Sequence, residues 1–276
     1  MNITAADVNK LRKQTGAGMM DCKKALVEAN GDFEQAVDYL RKKGQKVAAN
    51  RSDRDATEGV VLAKTSNDGT LGAIIVLNCE TDFVAKNADF TKFAENILDI
   101  AVANVPSSID ELKSLKYNGS DLTVGEKITE QTGVIGEKID LSGYETIKAS
   151  TVVSYIHPGN KLASVVGLNK AGDFASIGRD VAMQVAAMAP VALDKDSVSK
   201  EVIDREVEIG KDQAIQEGKP ADMAEKIAIG RLNKFFQENT LLNQAFIKDN
   251  KKSIKQYLGE VEKDLSVTSF LRYSLS

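Results

Sequence analysis

Leu71-Gly72-Ala73-Ile74-Ile75-Val76-Leu77-Asn78, with Asp82-Phe83 beyond it, recurs as Leu162-Ala163-Ser164-Val165-Val166-Gly167-Leu168-Asn169 with Asp173-Phe174 beyond it. In both copies the aspartate and phenylalanine stand four and five residues past the asparagine. A β-branched pair precedes each run, Val60-Val61 or Val152-Val153, and turn residues stand between, Asp68-Gly69 or Pro158-Gly159-Asn160. Short apolar runs joined by such turns read as the strands of a hairpin. A helical stretch closes each copy, so one unit, a hairpin packing a helix on one sheet face, is used twice. The sequence therefore predicts an α+β core of two similar antiparallel-sheet-plus-helix halves, 57–140 and 141–276.

Between the first run and its helix lies Cys79-Glu80-Thr81-Asp82-Phe83-Val84-Ala85-Lys86-Asn87, a polar turn with an aromatic at its tip. Beyond it Phe90, Phe93, Ala94, Ile97, Leu98, Ala101 and Val105 recur at helical spacing and commit one helix face to a core. Phe83 sits where the chain turns, flanked by Asp82 and Lys86. On position alone two readings stand: the ring points outward as a probe into a partner, or it tucks under its own helix, as large apolar residues usually do.

The first forty residues predict three short helices, with Val8 and Leu11 on the first, Cys22, Ala25, Leu26 and Ala29 on the second, and Phe33, Ala36, Val37 and Leu40 on the third. Gly16-Ala17-Gly18 lacks the lysine and hydroxyl of a phosphate-binding loop and reads as a helix connection. In Asn30-Gly31-Asp32 the glycine stops one helix and the aspartate caps the next. Met19 and Met20 suit core filling or an adaptable docking surface equally. Residues 41–56 mix Lys, Arg and Asp without an apolar period and predict a solvated helix extension and linker, so that 1–56 is a tethered unit. Residues 106–140 hold two short helices and loops. An alanine-rich helix over 176–189 ends at Pro190. Amphipathic stretches over 197–216 and 221–237, joined by Glu217-Gly218-Lys219-Pro220, predict an antiparallel helical hairpin inserted at about 196–237. Its narrow apolar stripe suits self-association, partner contact or a plain solvated coiled coil. A helix around Ile254 and Leu258 and a last strand ending near Leu275 return the chain to the body.

A chain of 276 residues with 42% hydrophobic content can bury a sizeable core, and a net charge of −4, mixed along its length, argues against nucleic acid as its main ligand. No run of eighteen or more apolar residues is present, and Met1-Asn2-Ile3-Thr4 lacks the features of a secretory signal, which predicts a soluble, cytoplasmic protein without membrane contact. Cys22 and Cys79 stand alone, with no disulfide framework or metal-ligand spacing. Two rivals to a specific binding factor follow: a general protein-binding adaptor, and a thiol enzyme pairing Cys79 with His157.

The order Cys79-Glu80-Thr81-Asp82-Phe83-Val84-Ala85-Lys86-Asn87 resembles a signature of the elongation factor Ts family. A second signature stands at Leu11-Arg12-Lys13-Gln14-Thr15-Gly16-Ala17-Gly18-Met19-Met20-Asp21-Cys22-Lys23-Lys24-Ala25-Leu26, and Ser154-Tyr155-Ile156-His157, Gly218-Lys219-Pro220 and Thr268-Ser269-Phe270-Leu271-Arg272 carry the resemblance along the chain. It implies a translation factor that binds elongation factor Tu carrying GDP and promotes GDP release by disturbing its magnesium and phosphate site, with no covalent chemistry and no cofactor. It implies that Thr81, Asp82, Phe83 and Val84 enter the partner's nucleotide domain, and that Arg12, Met19 and Met20 dock on a partner helix. It further implies a first domain of the ubiquitin-associated type, and a second half touching the partner's third domain. A homodimer or 2:2 complex through the hairpin stays open. Gln184 departs from the histidine common in the family. The family often adds a tail beyond the position of Ser276, so a contact made by that tail is expected to be missing or replaced. Because only Phe83 is followed by Val-Ala-Lys-Asn, Phe83 is expected to be the exposed wedge and Phe174 a packing residue.

Overall fold

A computed structural model describes residues 3–275, so the expectation attached to Ser276 lies outside the described residues. The chain begins with α1 (Ala5–Thr15), α2 (Met19–Glu28) and α3 (Phe33–Asn50). Thr4 and Asp7 make a reciprocal capping box on α1, Gly16 ends it with a left-handed φ of 72°, and Asp32 caps α3 by accepting from the Gln35 N–H. Val8, Leu11, Cys22, Ala25, Leu26 and Ala36 form the small core of this unit.

The solvated helix extension expected from residue 41 forms, with Gly44 its one buried residue over 41–56, but that residue ties it to the body. The helix runs on to Asn50, and Gly44 is buried against Gly133 of a later helix. A methyl group on Gly133 would overlap the Gly44 backbone, so two glycines permit the helices to touch. The signal escaped an apolar-period reading because the contact is made by residues with no side chain. The three-helix unit is therefore braced against the body where α3 passes Gly133.

The body follows as β1 (Glu58–Thr65), β2 (Leu71–Cys79), α4 (Asp82–Ala85), α5 (Ala88–Asn104), α6 (Ile109–Ser114), α7 (Val124–Ile135), β3 (Asp140–Lys148), β4 (Thr151–Ile156), β5 (Leu162–Leu168), α8 (Ala175–Met188), α9 (Lys200–Gln216), α10 (Ala221–Asn239), β6 (Ala245–Phe246), β7 (Asp249–Ser253), α11 (Ile254–Val261) and β8 (Val267–Ser274). Two antiparallel three-stranded sheets result, β1-β2-β3 and β4-β5-β8, with β6 and β7 as a small separate pair. One boundary needs correction: β3, which a division at 140 assigns to the second half, pairs with β2 from Leu71↔Lys148 to Asn78↔Asp140 and completes the first sheet. Nothing local marks its partner, since the strand it joins lies on the far side of four helices in the sequence.

The two sheets face one another across Val61, Ala63, Ile74, Val76, Val152, Ala163 and Val165. On its outer face the first sheet packs Val60, Leu62, Ala73, Ile75 and Leu77 against Phe90, Phe93 and Ile97 of α5. The second sheet packs Val166 and Leu168 against Val181 and Val185 of α8. This helix–sheet–sheet–helix layering explains why all nine residues of β2 are buried, and why its run is continuously apolar instead of alternating. At Gly72 a Cβ would overlap Val165 and lie 2.6 Å from Val152 Cγ1, so the lack of a side chain there lets the sheets approach.

From the far end α9 and α10 project as an antiparallel pair, with Gly210 and Ala214 buried against Ala224 and Ala228. Arg231 clamps their tip-ward halves, donating to Gln213 and to both oxygens of Glu217 at 2.8 Å. Among the described residues no helix is long and apolar enough to cross a membrane.

Candidate functional site

β2 delivers the chain to Cys79 at the edge of the first core, and the following residues build a single helical turn. Thr81 is its N-cap, with extended backbone, its hydroxyl accepting from the Val84 N–H at 3.5 Å. Asp82–Ala85 form α4, Ala85 is buried, and Asn87 starts α5 by accepting from the Asp89 N–H at 2.8 Å. Two caps six residues apart fix the turn at both ends, leaving Phe83 at its apex with 83% of its surface exposed. Asp82 and Lys86 flank the ring as an ion pair 2.6 Å apart. The Lys86 hydrogen bond holds the Asp82 carboxyl below its ordinary range and raises the Lys86 ammonium.

The four residues that the family resemblance singles out divide by direction. Phe83 faces solvent, with Asp82 half-exposed beside it. Val84 is half-buried against the first core, and Thr81 is half-buried under the turn. Thr81 is gripped by Glu137: its N–H donates to Oε2 at 3.0 Å and its hydroxyl to Oε1 at 2.7 Å. Next to it the Glu80 carboxylate accepts from Arg51 Nη1 at 2.7 and 2.8 Å and from the Lys138 N–H at 2.6 Å. The Lys138 N–H, and after it the Arg51 guanidinium, hold the Glu80 carboxyl below the usual carboxylate range. Sequence reasoning missed Glu137 and Arg51 as parts of this site, and placed Glu80 in the turn without a role. Only the helix-ending Gly136, with its left-handed φ of 82°, hints that the chain turns sharply before Glu137.

In the second copy the equivalent ring is differently placed. Phe174 is the residue immediately before α8, 8% exposed, and packs in the second core with its ring lying over Gly172. Arg12, Met19 and Met20 lie on the outer side of the three-helix unit, with Met19 52% and Met20 75% exposed, so neither methionine fills the core. Gly16 from this unit and Val84 from the Phe83 turn line one groove of about 420 Å³, together with Phe93 and Tyr117. Gln184, by contrast, is fully buried: its amide nitrogen donates to Gln244 Oε1 and the Ala245 carbonyl, both at 3.1 Å, and its oxygen accepts from the Ile247 N–H at 2.9 Å. It ties α8 to the β6–β7 segment and offers no surface contact.

Cys79 is buried, its thiol pushed up to about 12 by burial and then by the nearby Glu137 charge, and it donates to the Thr81 carbonyl at 3.2 Å. A thiol held protonated at neutral pH is not a poised nucleophile. His157 engages the Tyr155 hydroxyl through Nδ1 at 2.9 Å.

Known proteins of the same kind match nearly the whole chain. The family model described as elongation factor TS matches residues 80–276. The elongation factor Ts of Amoebophilus asiaticus is 56% identical over 274 residues, 99% of this chain and 98% of that protein. Those of Christiangramia forsetii and Cytophaga hutchinsonii are 55% and 53% identical, covering 99% of this chain and 98% and 99% of their own lengths. With the Phe83 turn inside the matched region and identity above one half over 99% of its length, the chain belongs to the elongation factor Ts family.

Proposed function

We propose that the chain is a guanine nucleotide exchange factor for elongation factor Tu, acting by differential binding without covalent chemistry or a cofactor of its own. The observation that carries this reading is the solvent-exposed Phe83 on a one-turn helix whose two ends are capped. An aromatic left in water at a rigid apex gains free energy only when a partner covers it. Inserted between helices of the partner's nucleotide domain, with Asp82 beside it and Thr81 and Val84 beneath, it shifts groups that hold magnesium. That ion tolerates little distortion of its octahedral shell. Its loss removes the charge that screens the diphosphate, so GDP leaves. By linkage, nucleotide and exchange factor weaken each other's binding by the same factor, and GTP in excess displaces the factor.

Arg12, Met19 and Met20 supply a second contact, in a three-helix unit of the ubiquitin-associated type. The second half of the core meets the partner's third domain. The α9–α10 pair serves as a coiled-coil hairpin through which a homodimer or 2:2 complex forms, in the cytoplasm and without direct nucleic acid or membrane contact. Release of a fluorescent GDP analogue from elongation factor Tu, with and without this protein, tests the reading. Unchanged release would overturn it in favour of a simple binding adaptor.

A further inference from the structure

We infer that Glu137 is the positioning residue that sets the pose of the Phe83 wedge, an inference that rests on the exchange reading above. A helix of four residues is far below the length that holds itself together in water, so α4 must be fixed from outside. Its C-terminal side is anchored by the buried Ala85 and half-buried Val84, but its N-terminal side enters from Cys79 through a stretch whose main fixed contacts are side-chain carboxylates. Glu137 takes both donors of Thr81, the N–H at 3.0 Å and the hydroxyl at 2.7 Å. A hydroxyl that donates to Glu137 turns a lone pair toward the Val84 N–H, so one carboxylate orients the cap itself.

The arrangement is reciprocal. Glu137 reaches from the turn after α7 to the Thr81 N–H, while Glu80 reaches back to the Lys138 N–H. Arg51 at the end of α3 completes the brace on Glu80, and Lys138 Nζ donates to the Ser52 and Arg54 carbonyls at 2.7 and 3.0 Å. Three segments thus meet at the base of the turn: the end of α3, the turn after α7, and residues 80–81. Charge-assisted bonds of this kind fix geometry well, and loss of fixed geometry at a reacting or inserting group lowers rate more than affinity.

The test compares Glu137→Ala, Glu137→Gln, Phe83→Ala and the unmodified full chain in stimulated GDP release and in amide hydrogen exchange of the free protein. Glu137→Ala is expected to lower the release rate at saturation by about fivefold or more, with the half-saturating concentration within about twofold. Exchange of the Thr81–Ala85 amides should quicken while that of β2 is unchanged, and Glu137→Gln, which keeps one acceptor oxygen, should restore part of both. Equal quickening across β2 and α7, with rate following the folded fraction, would reduce Glu137 to a stabilising contact and overturn the proposal. A silent Glu137→Ala beside a sensitive Phe83→Ala would overturn the positioning role alone. An unmodified chain that does not speed release would overturn the exchange reading, and this is seen before any variant is made.

Discussion

Phe83 and Phe174 follow the same strand, the same asparagine and the same aspartate, yet one ring stands in water and the other lies in a core. The difference comes from how each segment joins its helix. Phe174 directly precedes Ala175, the first residue of α8, so its ring falls back over Gly172 and onto the second core. In the first copy Val84-Ala85-Lys86-Asn87 separate Phe83 from Ala88, the first residue of α5. This insertion forms its own turn, gives the buried place to Ala85, and swings the phenylalanine outward. Burial of an aromatic is thus decided by the connection after it, not by the dipeptide that contains it. The two sites differ in their bracing as well. Glu80 and Glu137 bind the first turn to distant segments, whereas Asn169 in the second copy is held by Asp264 and Ser266 near β8.

The largest effect expected from this contrast is on stability. Phe174→Ala should cost about 3 kcal/mol or more, as truncation of a core phenylalanine does, read as a lowered urea midpoint. An equal loss in Phe83→Ala would break the comparison by returning Phe83 to a core. A second test asks whether the bracing belongs to the first copy alone. Gly133→Val should force α7 away from Gly44 and cost about 1–3 kcal/mol, with faster amide exchange in α3 and around Thr81 and none around Phe174. Loosening at both phenylalanines would show that the brace is a general support.

Phe83→Ala itself should leave stability within about 0.5 kcal/mol, since it removes no packed side chain. It should slow stimulated GDP release by about tenfold or more, equivalent to about 1.4 kcal/mol of barrier. Release that follows only the folded fraction would remove the wedge mechanism.

The smallest effect concerns pH. Glu80 is depressed by the Lys138 N–H and by Arg51, so its contribution to stability is complete above the ordinary glutamate value of 4.5 and is lost as pH falls below that through its lowered folded-state value. The gap in urea midpoint between the unmodified chain and Glu80→Gln should therefore be flat from pH 7 to about 5 and narrow below about 4.5. A gap that widens on acidification would reverse the assignment and place the brace elsewhere.

The candidate site was legible in the sequence only in part. The turn between Cys79 and Asn87, its aromatic tip and the flanking charges could be read directly, because caps and turns are written in adjacent residues. Whether Phe83 pointed in or out could not be read from position, and the family resemblance pointed the right way. Glu137 escaped notice for a different reason: it stands 56 residues from Thr81 and carries no motif of its own.

What the sequence alone determined was the repeated hairpin-and-helix unit, the three opening helices with their glycine and aspartate stops, and the paired helices joined at Gly218-Lys219-Pro220. Each is set by short-range periodicity and turn chemistry, which a chain carries wherever it folds. Tertiary structure alone decided that β3 closes the first sheet, that the two sheets stack through Gly72, that α3 leans on α7 through Gly44 and Gly133, and that Gln184 is sealed inside. These are contacts between segments distant in sequence, several of them made by glycines or by single polar groups. Their free energy depends on what the other segment presents, and no local pattern encodes that.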